Sequence, residues 1–186
     1  MGKPLLIMMM GHPGSGKSYF ARHLAEREKI VRLNADALRT EMYGSTEEMI
    51  RYKALDQTLL SEKMFRALDY VGKQILSFGL SVIFDTNNNK QLTRENYGDM
   101  ARQFDAIAVT AWIQASPDDA LHRVQQREAT PDQHKWSEER AHEVIKRHID
   151  NTDEPGEDEN VIIIDGTIPF EEQYESFKKQ LEEISA

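Results

Sequence analysis

Apolar residues along the chain fall into short unbroken blocks and longer periodic stretches, and the two kinds alternate. The run Leu5–Met10 is continuous and ends at Gly11, the pattern of a strand buried on both faces of a parallel sheet. A helix is expected next, from about Lys17 to Glu28, and then a short strand at Ile30–Leu33. Between Glu47 and Phe78 the positions Leu60, Met64, Leu68, Val71, Ile75 and Phe78 recur at steps of three or four, which predicts a long amphipathic helix stopped by Gly79. Leu80–Phe84 and Ala106–Ile113 read as strands with a helix near Thr93–Gln103 between them, and Ser116 followed by Pro117 opens another helix. A polar, irregular stretch lies between Glu128 and Ser137, and a helix over Glu138–Ile149 follows; residues of about 128–148 are expected to form a small lid. Asp153–Glu159, with five acids, a proline and a glycine in seven residues, reads as a solvated loop. A strand at Val161–Ile164 and a helix at Phe170–Ile184 complete the series. This alternation predicts an α/β protein: a parallel sheet covered by helices on both faces.

At 186 residues and 39% hydrophobic, one well-buried core and a single domain over 1–186 are expected. There is no cysteine, which removes disulfides and thiolate metal sites and fits a reducing cytoplasm. Leu5–Met10 is far shorter than a membrane span and lacks the flanks of a signal peptide, so a cytoplasmic location is expected. The net charge of −9 argues against a polyanionic partner, but its distribution weakens that argument. Twelve acids and two lysines lie between Asp150 and Ala186, which leaves the preceding residues near neutral.

The chemistry begins at GHPGSGKS, comprising Gly11, His12, Pro13, Gly14, Ser15, Gly16, Lys17 and Ser18 and followed by Tyr19. It fits GxxxxGK[ST] between a strand and a helix, where glycines let backbone N–H groups converge on a phosphate. Lys17 then reaches the β and γ phosphates and Ser18 ligates Mg2+. ATP or GTP binding follows; the same loop serves kinases, GTPases and mechanical ATPases. His12 is read as a tolerated variable position. The overall expectation is a three-layer P-loop NTPase fold of the nucleoside-monophosphate-kinase type.

Three further sites bear on catalysis. Asp36 and Arg39 sit one turn apart just after the second strand, where a carboxylate can orient or deprotonate a hydroxyl and an arginine can hold an anion; the alternative makes Asp36 a helix N-cap with Arg39 its surface partner. The third strand ends in FDTNNN, so Asp85 can hold magnesium directly or through water, while Thr86 and Asn87 can position an acceptor; three asparagines in series are also a turn signal. Arg123 and Arg127 share a helix face, suited to a triphosphate or to a solvated surface. His122, His134, His142 and His148 fall in or beside the lid without metal-ligand spacing. Trp112 is expected to pack in the core, and Trp136 to be available to a substrate.

In the order GHPGSGKS, DALR, FDTNNN, HRVQQRE, the chain resembles the family that includes the phage-type polynucleotide 5′-hydroxyl kinases and the zeta-toxin-like kinases, from about Leu5 to His148. The resemblance implies that Asp36 is the base toward a 5′-hydroxyl and that Arg39 contacts a substrate phosphate. It further implies that Arg123 and Arg127 serve ATP, that Asp85 to Asn87 border the acceptor channel, and that Asp165, Gly166 and Thr167 border adenine. Lys17, Asp36 and Arg127 are the expected catalytic residues. The chain lacks a clear basic run to track a nucleic-acid backbone. A polynucleotide 5′-hydroxyl acceptor is therefore set beside a small-molecule acceptor such as a nucleotide sugar, nucleoside or metabolite, and beside a nucleotide-dependent switch with no acceptor.

Overall fold

The computed structural model describes residues 2–44, 46–126 and 136–185. In chain order the elements are β1 (Leu5–Met10), α1 (Lys17–Glu28), β2 (Val31–Asn34), α2 (Ala35–Tyr43), α3 (Thr46–Ser77) and β3 (Val82–Asp85). Then come α4 (Gln91–Gln103), β4 (Ile107–Gln114), α5 (Pro117–Gln126), α6 (Glu138–Asp150), β5 (Val161–Asp165) and α7 (Phe170–Ser185). The strands form one parallel sheet in the order β2-β3-β1-β4-β5, with β1 at its centre.

Alternation along β1 sends its side chains to two cores. Ile7 and Met9 pack with Phe20 and Leu24 of α1 and Phe177 of α7. Leu6 and Met8 face the other way, toward Met64, Leu68 and Leu76 of α3 and Tyr97 of α4. Both faces of the strand are dry, which explains its unbroken apolar run. Among the described residues no helix is long and apolar enough to cross a membrane.

Most expected elements occupy the expected stretches. A separate α2 does not appear in the periodic pattern; it starts directly at the end of β2, where the Asn34 side chain accepts from the Ala37 N–H at 2.7 Å. Asn34 is thus the N-cap, and the capping alternative for Asp36 is incorrect: Asp36 lies in the first turn, where its charge favours the helix dipole. In α3, a Cβ on Gly72 would lie 2.3 Å from the tip of the Phe84 ring, so this glycine lets the helix rest directly on β3.

The acidic segment after α6 is more than a solvated loop. Asp153 accepts from Lys90 Nζ at 3.0 Å and from the Gln91 N–H at 3.1 Å, capping α4. Glu159 pairs with the fully buried Arg94 at 2.6 Å. Arg94 also donates to the Asn88 carbonyl at 3.2 Å, fastening this segment to the turn after β3.

Candidate active site

The carboxyl ends of β1, β2 and β3 open into a cleft of about 930 Å³. Its floor is the loop after β1. Gly11, Gly14 and Gly16 adopt φ of 136°, 85° and 106°, conformations open to glycine, and a Cβ on Gly14 would sit 2.5 Å from the Ala120 carbonyl oxygen. Close approach of α5 therefore fixes the loop from behind. Lys17 Nζ donates to the His12 carbonyl at 2.9 Å across the same loop. The His12 ring contacts the Pro13 and Ala115 carbonyls at 3.1 and 3.0 Å; neither His12 nor Ser15 lines the cleft, and the Ser15 hydroxyl is buried without a partner. Pro13, Tyr19, Lys17 and Ser18 do line it.

Asp85 is the most heavily engaged carboxylate in the cleft. Its Oδ2 accepts from Arg32 at 2.8 and 2.5 Å and from Asn34 Nδ2 at 2.7 Å, while Oδ1 accepts from Ser18 Oγ at 3.2 Å. The register places Asn34 directly beside Asp85, and two residues earlier Arg32 points to the same face of β2. Arg32 and Asn34 leave one carboxylate oxygen turned toward Ser18. A hydroxyl and one carboxylate oxygen fit a magnesium ion that takes its remaining ligands from phosphates and water. Among the described residues no cluster of three or more His, Asp or Glu side chains could hold a metal by itself.

Asp36 and Arg39 line the opposite wall and are paired with each other, Asp36 being the more exposed. Asn87 is exposed on the cleft rim. Thr86 is buried, with its hydroxyl donated to Asn88 Oδ1 at 3.0 Å. The two following asparagines are structural: Asn88 Nδ2 donates to the Met9 and Phe84 carbonyls at 2.9 and 3.1 Å, and Asn89 holds the Gly11 N–H.

Arg123 reaches the cleft, where NH1 donates to the Gly166 carbonyl at 2.8 Å. Gly166 lies so close to the phosphate loop that a Cβ would meet the Ser15 carbonyl at 2.0 Å. Asp165 accepts from the Thr167 hydroxyl and N–H at 2.6 and 2.7 Å, which holds its carboxyl below the usual range and shapes the loop. Arg127 and His134 lie outside the described residues. The described part of the expected lid is chiefly α6, packed on α5 with Ala141, Val144 and Ile145 buried.

Sequence reasoning missed Arg32 and Asn34, whose role depends on sheet register, and Arg140 and Arg147, which join Trp136 and His148 on the cleft wall. The spacing of Arg140, Val144, Arg147 and His148 within an amphipathic helix was the available signal.

A parallel five-stranded sheet of this order, with a phosphate loop between β1 and α1, defines a P-loop kinase fold. The AAA domain family AAA_33 matches residues 6–152, and the chain belongs to it. A protein of Acanthamoeba polyphaga mimivirus, proposed to be a bifunctional polynucleotide phosphatase/kinase, is 28% identical over 117 residues, which is 63% of this chain. That match spans only 22% of the viral protein's length. Among solved structures, a protein of Chloroflexus aurantiacus proposed to be a kinase is 20% identical with a TM-score of 0.69, covering 98% of both chains. A gluconokinase of Sinorhizobium meliloti is 17% identical with a TM-score of 0.66, covering 100% of this chain and 95% of its own.

Proposed function

We propose that residues 1–186 form one kinase domain that transfers the γ-phosphoryl group of ATP to a hydroxyl, the leading acceptor being the 5′-hydroxyl end of a polynucleotide. The observation that carries this reading is the placement of Asp36 and Arg39 in the same cleft as Lys17 and Ser18. A pure nucleotide switch has no need of a carboxylate and an arginine lining the cleft that holds the phosphate loop. The similarity to the viral phosphatase/kinase supports the polynucleotide acceptor. Absence of cysteine suits a cytoplasmic setting.

In this mechanism Lys17 and the loop N–H groups bind the β and γ phosphates. Arg123 holds the loop against Gly166 at the adenine side, and Arg127 adds positive charge to the reacting phosphoryl group. Magnesium, held by Ser18 and directly or through water by Asp85, would neutralise charge on the transferred group. The acceptor hydroxyl, positioned by Thr86 and Asn87, attacks the γ phosphorus. Its proton passes to Asp36, and the bond to the bridging oxygen breaks to release ADP. Arg39 is paired with Asp36, and an acceptor phosphate that takes Arg39 frees the carboxylate for the hydroxyl.

A small-molecule acceptor is favoured by one feature. The cleft continues past Ser61 and Phe65 into a groove where, among the described residues, Glu62 and Asp69 outnumber the one cation, Arg66, a poor path for a phosphate backbone. Transfer of labelled γ-phosphate to a 5′-hydroxyl oligonucleotide, with Asp36→Asn and Lys17→Ala as controls, tests the leading reading. ATP binding without labelling of the oligonucleotide would reject it in favour of a small acceptor.

A further inference from the structure

One edge of the phosphate site comes from α6. Trp136 precedes the helix, Arg140 and Val144 follow at intervals of one turn, and the adjacent Arg147 and His148 come a turn later, all lining the cleft that contains Lys17 and Ser18. Arg140 is engaged by Glu143 at 2.6 Å. Arg147 is exposed and forms no ion pair with a described carboxylate. His148 is half-buried, and its backbone carbonyl accepts from Thr152 Oγ1 at 2.6 Å, which anchors this turn of helix.

Among the described residues, the charged and titratable groups acting on His148 are basic: Lys17 and His12 from the phosphate loop and Arg147 from its own helix. Burial, with these three, lowers the imidazole to about 4, so it is uncharged at neutral pH. An uncharged histidine within the field of a phosphate-loop lysine is poised to change state when an anion arrives. A triphosphate bound at Lys17 would oppose the field of the nearby cations and favour the imidazolium.

We propose that Arg147 and His148 belong to the triphosphate site: Arg147 pairs with a terminal phosphate, and His148 takes up a proton from solvent as the nucleotide binds. The inference rests on the reading that this cleft takes ATP. It adds two binding residues and a measurable proton to that reading.

Calorimetric titration of the full chain at pH 6 tests it, using magnesium and a non-hydrolysable ATP analogue in two buffers of different ionisation enthalpy. Wild type is expected to take up more protons per bound nucleotide than His148→Gln or His148→Asn, the difference cancelling protons exchanged by the nucleotide itself. Arg147→Gln is expected to weaken the triphosphate about tenfold, in line with loss of one charge-assisted contact, and ADP by less, while Arg147→Lys recovers part of the loss. Far-ultraviolet circular dichroism of each variant confirms the fold. Equal proton uptake in wild type and both His148 variants, or unchanged affinity in Arg147→Gln, overturns the proposal. Failure of wild type to bind either nucleotide overturns the underlying ATP reading instead, and the proposal with it.

Discussion

The Asn89 side chain accepts a hydrogen bond from the Gly11 N–H at 3.1 Å and donates to Thr152 Oγ1 at 2.9 Å. A single buried residue thereby ties the entrance of the phosphate loop to the segment that leaves α6. Asn89→Ala is expected to destabilise the chain by about 1–3 kcal/mol, the usual cost of stranding a buried polar group, and to weaken nucleotide binding. Urea unfolding and nucleotide titration would check both; an unchanged midpoint would show that the loop is held by other means.

Asp36→Asn keeps the shape of the cleft and removes the proposed proton acceptor. Phosphoryl transfer is expected to fall by about 10²–10⁴-fold while ATP affinity stays within a factor of a few. Steady-state kinetics with a separate binding assay distinguish this from a structural role, which would lower both.

Gly166→Ala places a methyl group against the backbone carbonyls of Ser15 and Gln114, at 2.0 and 3.0 Å. Backbone cannot rotate away as a side chain can. A loss of about 1–3 kcal/mol in stability is expected from overpacking, together with weaker nucleotide binding, measured by thermal unfolding with and without ATP.

Stability should also depend on pH through His148. Its folded value of about 4 lies below the ordinary 6.5, so as pH falls through 6.5 the unfolded chain takes up the proton first. The folded state therefore loses stability between about pH 6.5 and 4, and His148→Gln should flatten that part of the profile. Asp153, held low first by Lys90, and Glu159, where Arg94 and the Gly156 N–H outweigh burial, act in a separate window. Their contributions are present above the usual carboxylate range and are lost as pH falls through their depressed values. Denaturation midpoints across pH 3–8 would resolve the two windows.

The residues that could be read from the chain are those governed by local pattern. The long helix up to Ser77 follows from periodicity, Lys17–Glu28 from its place after the first strand, and the phosphate loop from its spacing between strand and helix. Hidden features depend on partners distant in sequence. Arg94 meets Glu159 across 65 positions and Arg32 meets Asp85 across 53, so neither pair leaves a mark in a window of ten or twenty residues. Asp153–Glu159 looked like solvated charge because its partners, Lys90, Gln91 and Arg94, belong to another element. α2 escaped notice because Asn34 both ends a strand and caps the helix, leaving no loop residues between them.

Gly72 sets how closely α3 beds onto the sheet. The helix meets Phe84 at this glycine, and Met64 and Leu68 carry the same packed face on toward Phe65 and Ser61, which form part of the cleft wall. Seven residues of helix, about 10 Å, separate Gly72 from Phe65. A bulkier side chain at position 72 would lift this face off the sheet, so the width of the cleft is governed in part by a residue that does not line it.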